Sequence, residues 1–102
     1  LAPHAGGRYI DATLGGGSHA EAILQASSPD GKLLGLDADP RALQRVQKRL
    51  ARFAQRLTLV QSNFRRIAVV AREREFTQTD GILFDLGVSS FHLEEAAQGF
   101  SF

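Results

Sequence analysis

The densest chemistry in this sequence lies at residues 11–19, which read Asp11, Ala12, Thr13, Leu14, Gly15, Gly16, Gly17, Ser18 and His19. Consecutive glycines let a ligand come close to the backbone, and a helix starting just after them offers unpaired N–H groups. A P-loop requires a Lys followed by Ser or Thr directly after the glycines. His19 and Ala20 stand there instead, so a nucleoside triphosphate cradle is excluded. The dinucleotide fingerprint does fit: Gly15, Gly17 and Ala20 satisfy GxGxxA, and an acid, Asp37, follows about twenty residues on.

Asp11 separates the remaining ligands. It lies four residues before Gly15 and six before Gly17. A carboxylate beside a pyrophosphate repels it. The same carboxylate suits a cofactor whose near end carries an ammonium, as S-adenosylmethionine does, and methyltransferases of the Rossmann-like class place an acid here. Asp37 serves either cofactor by accepting hydrogen bonds from ribose hydroxyls, and a charged acceptor makes the stronger kind. Plainer roles stand beside these, with Asp11 as a turn former and Asp37 as a solvated turn acid or part of a helix cap.

These residues need a frame. Residues 8–12 read as a strand running into the glycine turn, followed by Ala20, Ile23 and Leu24 at helical spacing. Residues 27–31 (SSPDG) form a turn by composition, and KLLGLD at 32–37 is apolar on both faces, as in a buried parallel strand. Asp39 and Pro40 then start a helix, because Asp accepts from orphan backbone donors and Pro needs none at the first helical position. Leu43, Val46, Leu50 and Phe53 give that helix its apolar stripe. A strand at 56–61, a short helix at 65–74 with Ile67, Val70 and Ala71 inward, and a strand at 81–86 complete the pattern. Alternating strands and helices predict a doubly wound α/β fold, a parallel sheet with helices on both faces. Ligands bind such sheets beyond the carboxyl ends of the strands. Asp11, Asp37, Asn63 with Phe64, and Asp85 all fall at predicted strand ends.

Composition narrows the class further. With 43% hydrophobic and 23% charged residues, the chain is neither disordered nor collagen-like. It holds no Cys, so disulfides and thiolate metal sites are excluded, and its three His with scattered acids lack recognised ligand spacing, which predicts no structural metal. The longest apolar runs, such as IAVVA at 67–71, are too short to span a bilayer, and no signal-peptide pattern opens the chain. A soluble cytoplasmic protein is expected. The 102 residues include no Met and start at Leu1, so the sequence reads as a trimmed piece forming one domain or part of one.

The net charge of +1 conceals a segregation. Residues 1–40 balance at −3, residues 41–74 at +9 from ten basic residues against Glu73 alone, and residues 75–102 at −5. Arg41, Arg45, Arg49, Arg52 and Arg56 recur at intervals of three and four, so they line one side of the second helix. That stripe is either a solvated face opposite the core or a surface for nucleic-acid phosphates. Ser89 and Ser90 have no base placed by sequence to activate them, so they read as helix caps rather than nucleophiles.

YIDATLGGGSHAEAIL, LLGLDADPRAL, the Asn63–Phe64 pair, DGILFDLGVSS and GFSF together resemble the ribosomal RNA small subunit methyltransferase H family, also called MraW. The resemblance covers essentially the whole chain, and its most specific segments are DLGVSS and GFSF. It implies a Rossmann-like class I S-adenosylmethionine methyltransferase fold, incomplete with four strands present, over a partial cofactor-binding domain at 1–102. It implies S-adenosylmethionine as cofactor and N4-methylation of a cytidine in small-subunit ribosomal RNA, with that RNA or the assembling small subunit as partner.

Carried over position by position, the resemblance makes Gly17, Ser18 and His19 the cofactor loop and Asp37 the ribose ligand. Phe64, a core residue on its own evidence, becomes the platform for adenine, and Asp85 another cofactor contact; from its place at a strand end, Asp85 or a nearby backbone carbonyl in DLGVSS is also the candidate acceptor for the amine proton. The family has Gly where this chain has Ser18, and Pro then Gln where it has Phe91 and His92. Ser is small enough to keep the close approach, and His92 can donate or accept in place of Gln. Two other functions fit parts of the sequence: a nicotinamide-dependent dehydrogenase using GxGxxA, and a noncatalytic RNA-binding module using the arginine stripe. The acceptor-binding half is expected beyond Phe102, and the 102 residues alone are expected to bind cofactor weakly or not at all and not to methylate RNA.

Overall fold

A computed structural model describes residues 2–84. Asp85, Ser89, Ser90 and His92, with the rest of DLGVSS and GFSF, lie outside the described residues. Strands β1 (Arg8–Asp11), β2 (Lys32–Asp37), β3 (Leu57–Gln61) and β4 (Gly81–Leu83) alternate with helices α1 (Ser18–Ala26), α2 (Pro40–Arg49) and α3 (Ile67–Glu73). The strands form one parallel sheet in the order β3-β2-β1-β4. The chain therefore steps outward from β1 to β3 and returns to the other side of β1 for β4, the reversal expected of a doubly wound sheet. Among the described residues no helix is long and apolar enough to cross a membrane.

The apolar run of β2 explains why the sheet sits between two layers. Leu33, Leu34 and Leu36 are fully buried, but they serve opposite faces. Leu33 packs with Tyr9, Ala20, Leu24, Val46 and Leu50 under α1 and α2. Leu34 and Leu36 pack with Ile10, Ile67, Val70, Ala71 and Ile82 under α3. The inward residues predicted for α1 and α3 are those buried in the structure.

The second helix is shorter than its apolar stripe implied. It ends at Arg49, and Leu50, its buried C-cap, donates to the Val46 carbonyl before a 3-10 turn at Ala51–Arg56 leads into β3. These six residues make about two turns of tighter winding before the chain re-enters the sheet at Leu57. Arg56 anchors that turn by donating to the carbonyls of Gly31 and Leu24, both at 2.8 Å, and to Ser28 Oγ at 3.1 Å. Residues 64–66 likewise form a 3-10 turn, so α3 starts two residues later than predicted; Asn63 Oδ1 caps it by accepting from Arg65 N at 3.0 Å.

The arginine stripe is thus divided between two elements, and most of it is used internally. Arg41 pairs with Asp39 at 3.4 Å, while Arg49 and Arg52 grip the two carboxylate oxygens of Glu21 on α1 at 3.0 and 2.9 Å. Arg41, Arg45, Arg49 and Arg52 nonetheless remain exposed, so these pairs lie on a solvated face. The two guanidiniums hold the Glu21 carboxyl below its ordinary value of 4.5, through hydrogen bonds from Arg52 first and Arg49 second.

Two predictions follow from the α1–α2 contact. Gly17, the N-cap of α1, has φ +90°, and a Cβ there would lie 3.2 Å from Val46 Cγ2. Gly17→Ala should cost about 1–3 kcal/mol in urea unfolding; a loss below about 0.5 kcal/mol contradicts this reading of the cap. Because folding lowers the Glu21 pKa, its ionised form contributes stability that is whole above pH 4.5 and fades as pH falls through the lowered value. The difference in unfolding midpoint between wild type and Glu21→Gln should therefore shrink as the pH falls below 4.5, and a difference that grows instead contradicts the pairing.

Candidate functional site

Three strand ends meet at one edge of the sheet. In register Asp11 is opposite Gly35, and Asp37 is opposite Gln61, so β2 and β3 run past the end of β1. The step leaves a cleft of about 160 Å³. Its walls are Ala12 and Thr13 after β1, Asp37 and Ala38 at the end of β2, and Ser62, Asn63 and Phe64 after β3.

Asp37 organises this edge. Its Oδ2 accepts from Gly15 N at 3.1 Å and its Oδ1 from Asp39 N at 2.9 Å, so one carboxylate joins the glycine loop to the head of α2. An ionised carboxylate has about four acceptor positions. Two are occupied here, which leaves capacity for two further donors from the cleft side. Asp39 then caps α2 by accepting from Arg41 N at 2.9 Å, and this bond is the main reason its carboxyl sits below the ordinary range.

The glycine loop is pinned to β2 at a second point, where Leu14 N donates to the Leu36 carbonyl at 3.2 Å. Gly35 makes this possible, because a Cβ there would come within 2.7 Å of Leu14 Cδ2. Asp11 lies fully buried under the loop, and its Oδ1 accepts from Thr13 N at 3.1 Å, the local turn-forming bond of an Asp. Gly15 and Gly16 are exposed, with no heavy atom within 4 Å of where a Cβ would stand, so the loop is open to close approach there. Gly17 faces inward against Val46. Gly15 also takes φ +54°, a conformation natural to glycine.

Phe64 belongs to both the core and the cleft. Its ring meets Phe84 edge-on at 6.0 Å while it packs against the α3-side core and forms one cleft wall. The two readings of this residue are therefore compatible.

The structure joins Asp37 to Gly15 by a hydrogen bond and to Phe64 across the cleft, while Asp11 is buried at the end of β1. It places Ser18 and His19 exposed in the first turn of α1. His19 lines a different cleft, of about 270 Å³, with Pro3, Ala22, Ile23, Ala26 and Leu83. Thr13, Ala38 and Ser62 were not singled out from sequence, although each lies one or two residues past a strand terminus, which was the available signal. Among the described residues no three His, Cys, Asp or Glu side chains converge as a metal site.

The profile of the MraW methylase family matches residues 1–102. Ribosomal RNA small subunit methyltransferase H from Thermomicrobium roseum is 53% identical over 102 residues, covering 100% of this chain and 31% of that protein. The same-named protein of Geotalea uraniireducens is 52% identical, covering 100% and 33%. The chain thus spans about a third of the length of these curated relatives. Among solved structures, Aeropyrum pernix fibrillarin with natively bound S-adenosyl-L-methionine aligns at TM-score 0.66 and 17% identity, covering 84% of this chain and 36% of that one. The C-terminal domain of precorrin-6Y C5,15-methyltransferase from Rhodobacter capsulatus aligns at 0.68 and 19%, covering 100% and 52%. At these identities the likeness is one of fold, and the fold is the Rossmann-like methyltransferase kind. With that sheet, and a family profile spanning all its residues, the chain belongs to the MraW methylase family.

Proposed function

We propose that these 102 residues supply the S-adenosylmethionine-binding part of a cytoplasmic enzyme that methylates the N4 amino group of a cytidine in small-subunit ribosomal RNA. The reading rests above all on the cleft in which Asp37, already tied to the glycine loop, stands beside Phe64. The residues fit the cofactor. Asp37 retains acceptor capacity for ribose hydroxyls, Phe64 offers an aromatic wall to adenine, and Gly15 and Gly16 leave room for a ligand against the backbone. Asp11, at the end of β1 just before the loop, is the acid proposed for the ammonium end. Ser18 and His19 in the first turn of α1 and, beyond the described residues, Asp85 and His92 complete the proposed cofactor set.

When bound, the cofactor supplies a sulfonium methyl group open to in-line displacement. The protein's share is orientation and charge placement. The cytosine amine is a poor nucleophile because its lone pair is conjugated with the ring. In this reading Asp85 accepts a hydrogen bond from that amine and takes the N4 proton as the new bond forms. The partner is small-subunit ribosomal RNA, free or in the assembling subunit.

Two measurements test this, both on the protein at the full length of its relatives. In titration calorimetry it should bind S-adenosylmethionine and its demethylated product but not NAD, and Asp37→Ala should weaken binding about 10–100-fold. Preference for NAD, or unchanged affinity in the variant, contradicts the site. Asp85→Asn should lower turnover on ribosomal RNA by about 10²–10⁴-fold; a variant with wild-type affinity and turnover removes Asp85 from the mechanism.

A further inference from the structure

Arg49 stands in the last turn of α2, across from the glycine loop, and its guanidinium has two partners. Nη1 donates to the Gly16 carbonyl at 3.0 Å, and Nη2 donates to Glu21 Oε1 at 3.0 Å. Glu21, held on its other oxygen by Arg52 at 2.9 Å, fixes the Arg49 fork in place. Among the described residues Arg52 shares Glu21 but makes no hydrogen bond to the loop. The two arginines therefore differ in their second partner: Arg49 holds the Gly16 carbonyl, whereas Arg52 stacks over the Phe53 ring at 4.4 Å.

That contact falls where the loop most needs it. Three consecutive glycines have the largest conformational freedom of any such run, and ordering them opposes ligand binding. Gly15 N is held by Asp37. The next peptide group but one, between Gly16 and Gly17, is held at both ends: its oxygen by Arg49 and its nitrogen by the Leu14 carbonyl at 2.9 Å. Remove Arg49 and that peptide keeps its nitrogen partner but loses the one that fixes its oxygen. A planar guanidinium can serve a carbonyl and a carboxylate at once, which an ammonium does less well.

We propose that Arg49 is a positioning residue for the cofactor loop, holding the Gly16–Gly17 peptide from behind so that the open side of the loop is ordered before ligand arrives. The proposal rests on the S-adenosylmethionine reading of the site. It gives one arginine of the basic stripe a role in binding that touches neither RNA nor cofactor.

The test compares Arg49→Ala, Arg49→Lys and Arg52→Ala in the full-length protein, reading thermal midpoint and calorimetric Kd for S-adenosylmethionine together. Both alanine variants lose a grip on Glu21 and should lower the midpoint, Arg52→Ala also through its lost stacking on Phe53. Arg49→Ala alone should weaken cofactor binding, by about tenfold, with Arg52→Ala within about twofold of wild type. Arg49→Lys, which keeps the charge and the packing of the stem, should fall between wild type and Arg49→Ala in Kd. Equal weakening in Arg49→Ala and Arg52→Ala, or none in either, overturns the inference while leaving the functional reading intact. A wild-type protein without affinity for S-adenosylmethionine overturns that reading, and the inference with it.

Discussion

The carboxylate of Asp37 is the constraint on which the binding edge depends. It ends β2, a strand buried on both faces and paired on both sides, so its position is set by the interior of the sheet. From there it accepts from Gly15 N on one side and Asp39 N on the other, while its own carbonyl accepts from Ser62 N at 3.1 Å. One residue thus fixes the glycine loop, the start of α2 and the chain leaving β3. Charge-assisted bonds of this kind are stronger than neutral ones, and they lie at the edge where a doubly wound sheet receives its ligand.

The rest of the edge follows from that anchor. Because Asp39 is held, it can cap α2, and α2 then carries Val46 beneath Gly17 and Arg49 behind Gly16. Gly35 admits Leu14 against β2, which draws the loop down at its other end. The loop is open on the side of Gly15 and Gly16 and supported everywhere else. Such preorganisation lowers the entropic cost of binding a flexible ligand.

Much of this was legible in the sequence because its signals are local. Strand ends, the Asp39–Pro40 helix start and the inward faces of α1 and α3 follow from periodicity and backbone chemistry within a few residues. The arginine stripe was legible as a face but not as a function, since Arg49, Arg52 and Arg56 find their partners on the glycine loop, α1 and the turn after it, 25 to 33 residues away. Periodicity says which side chains share a side and says nothing of what lies opposite. The second cleft, by Leu83, which His19 lines with Pro3 and Ala22, was not legible either, because its walls come from segments far apart in the chain. The break in α2 at Leu50 was hidden for a related reason: the apolar spacing continues unaltered through a 3-10 turn that only the approach to β3 requires.

A Rossmann-like sheet alone does not specify a reaction, since unrelated chemistries share it. Fibrillarin and the precorrin enzyme share this sheet at identities too low to carry more than the fold, so family membership and the Asp37–Phe64 cleft bear the weight of the functional reading. The most direct test is a crystal structure of the full-length protein with S-adenosylmethionine bound. The ribose hydroxyls should lie within hydrogen-bond distance of the Asp37 carboxylate, with adenine against Phe64 and the glycine loop in its present course. A cofactor seated away from the end of β2, with Asp37 still bonded to backbone alone, would contradict the assignment of this edge as the binding site.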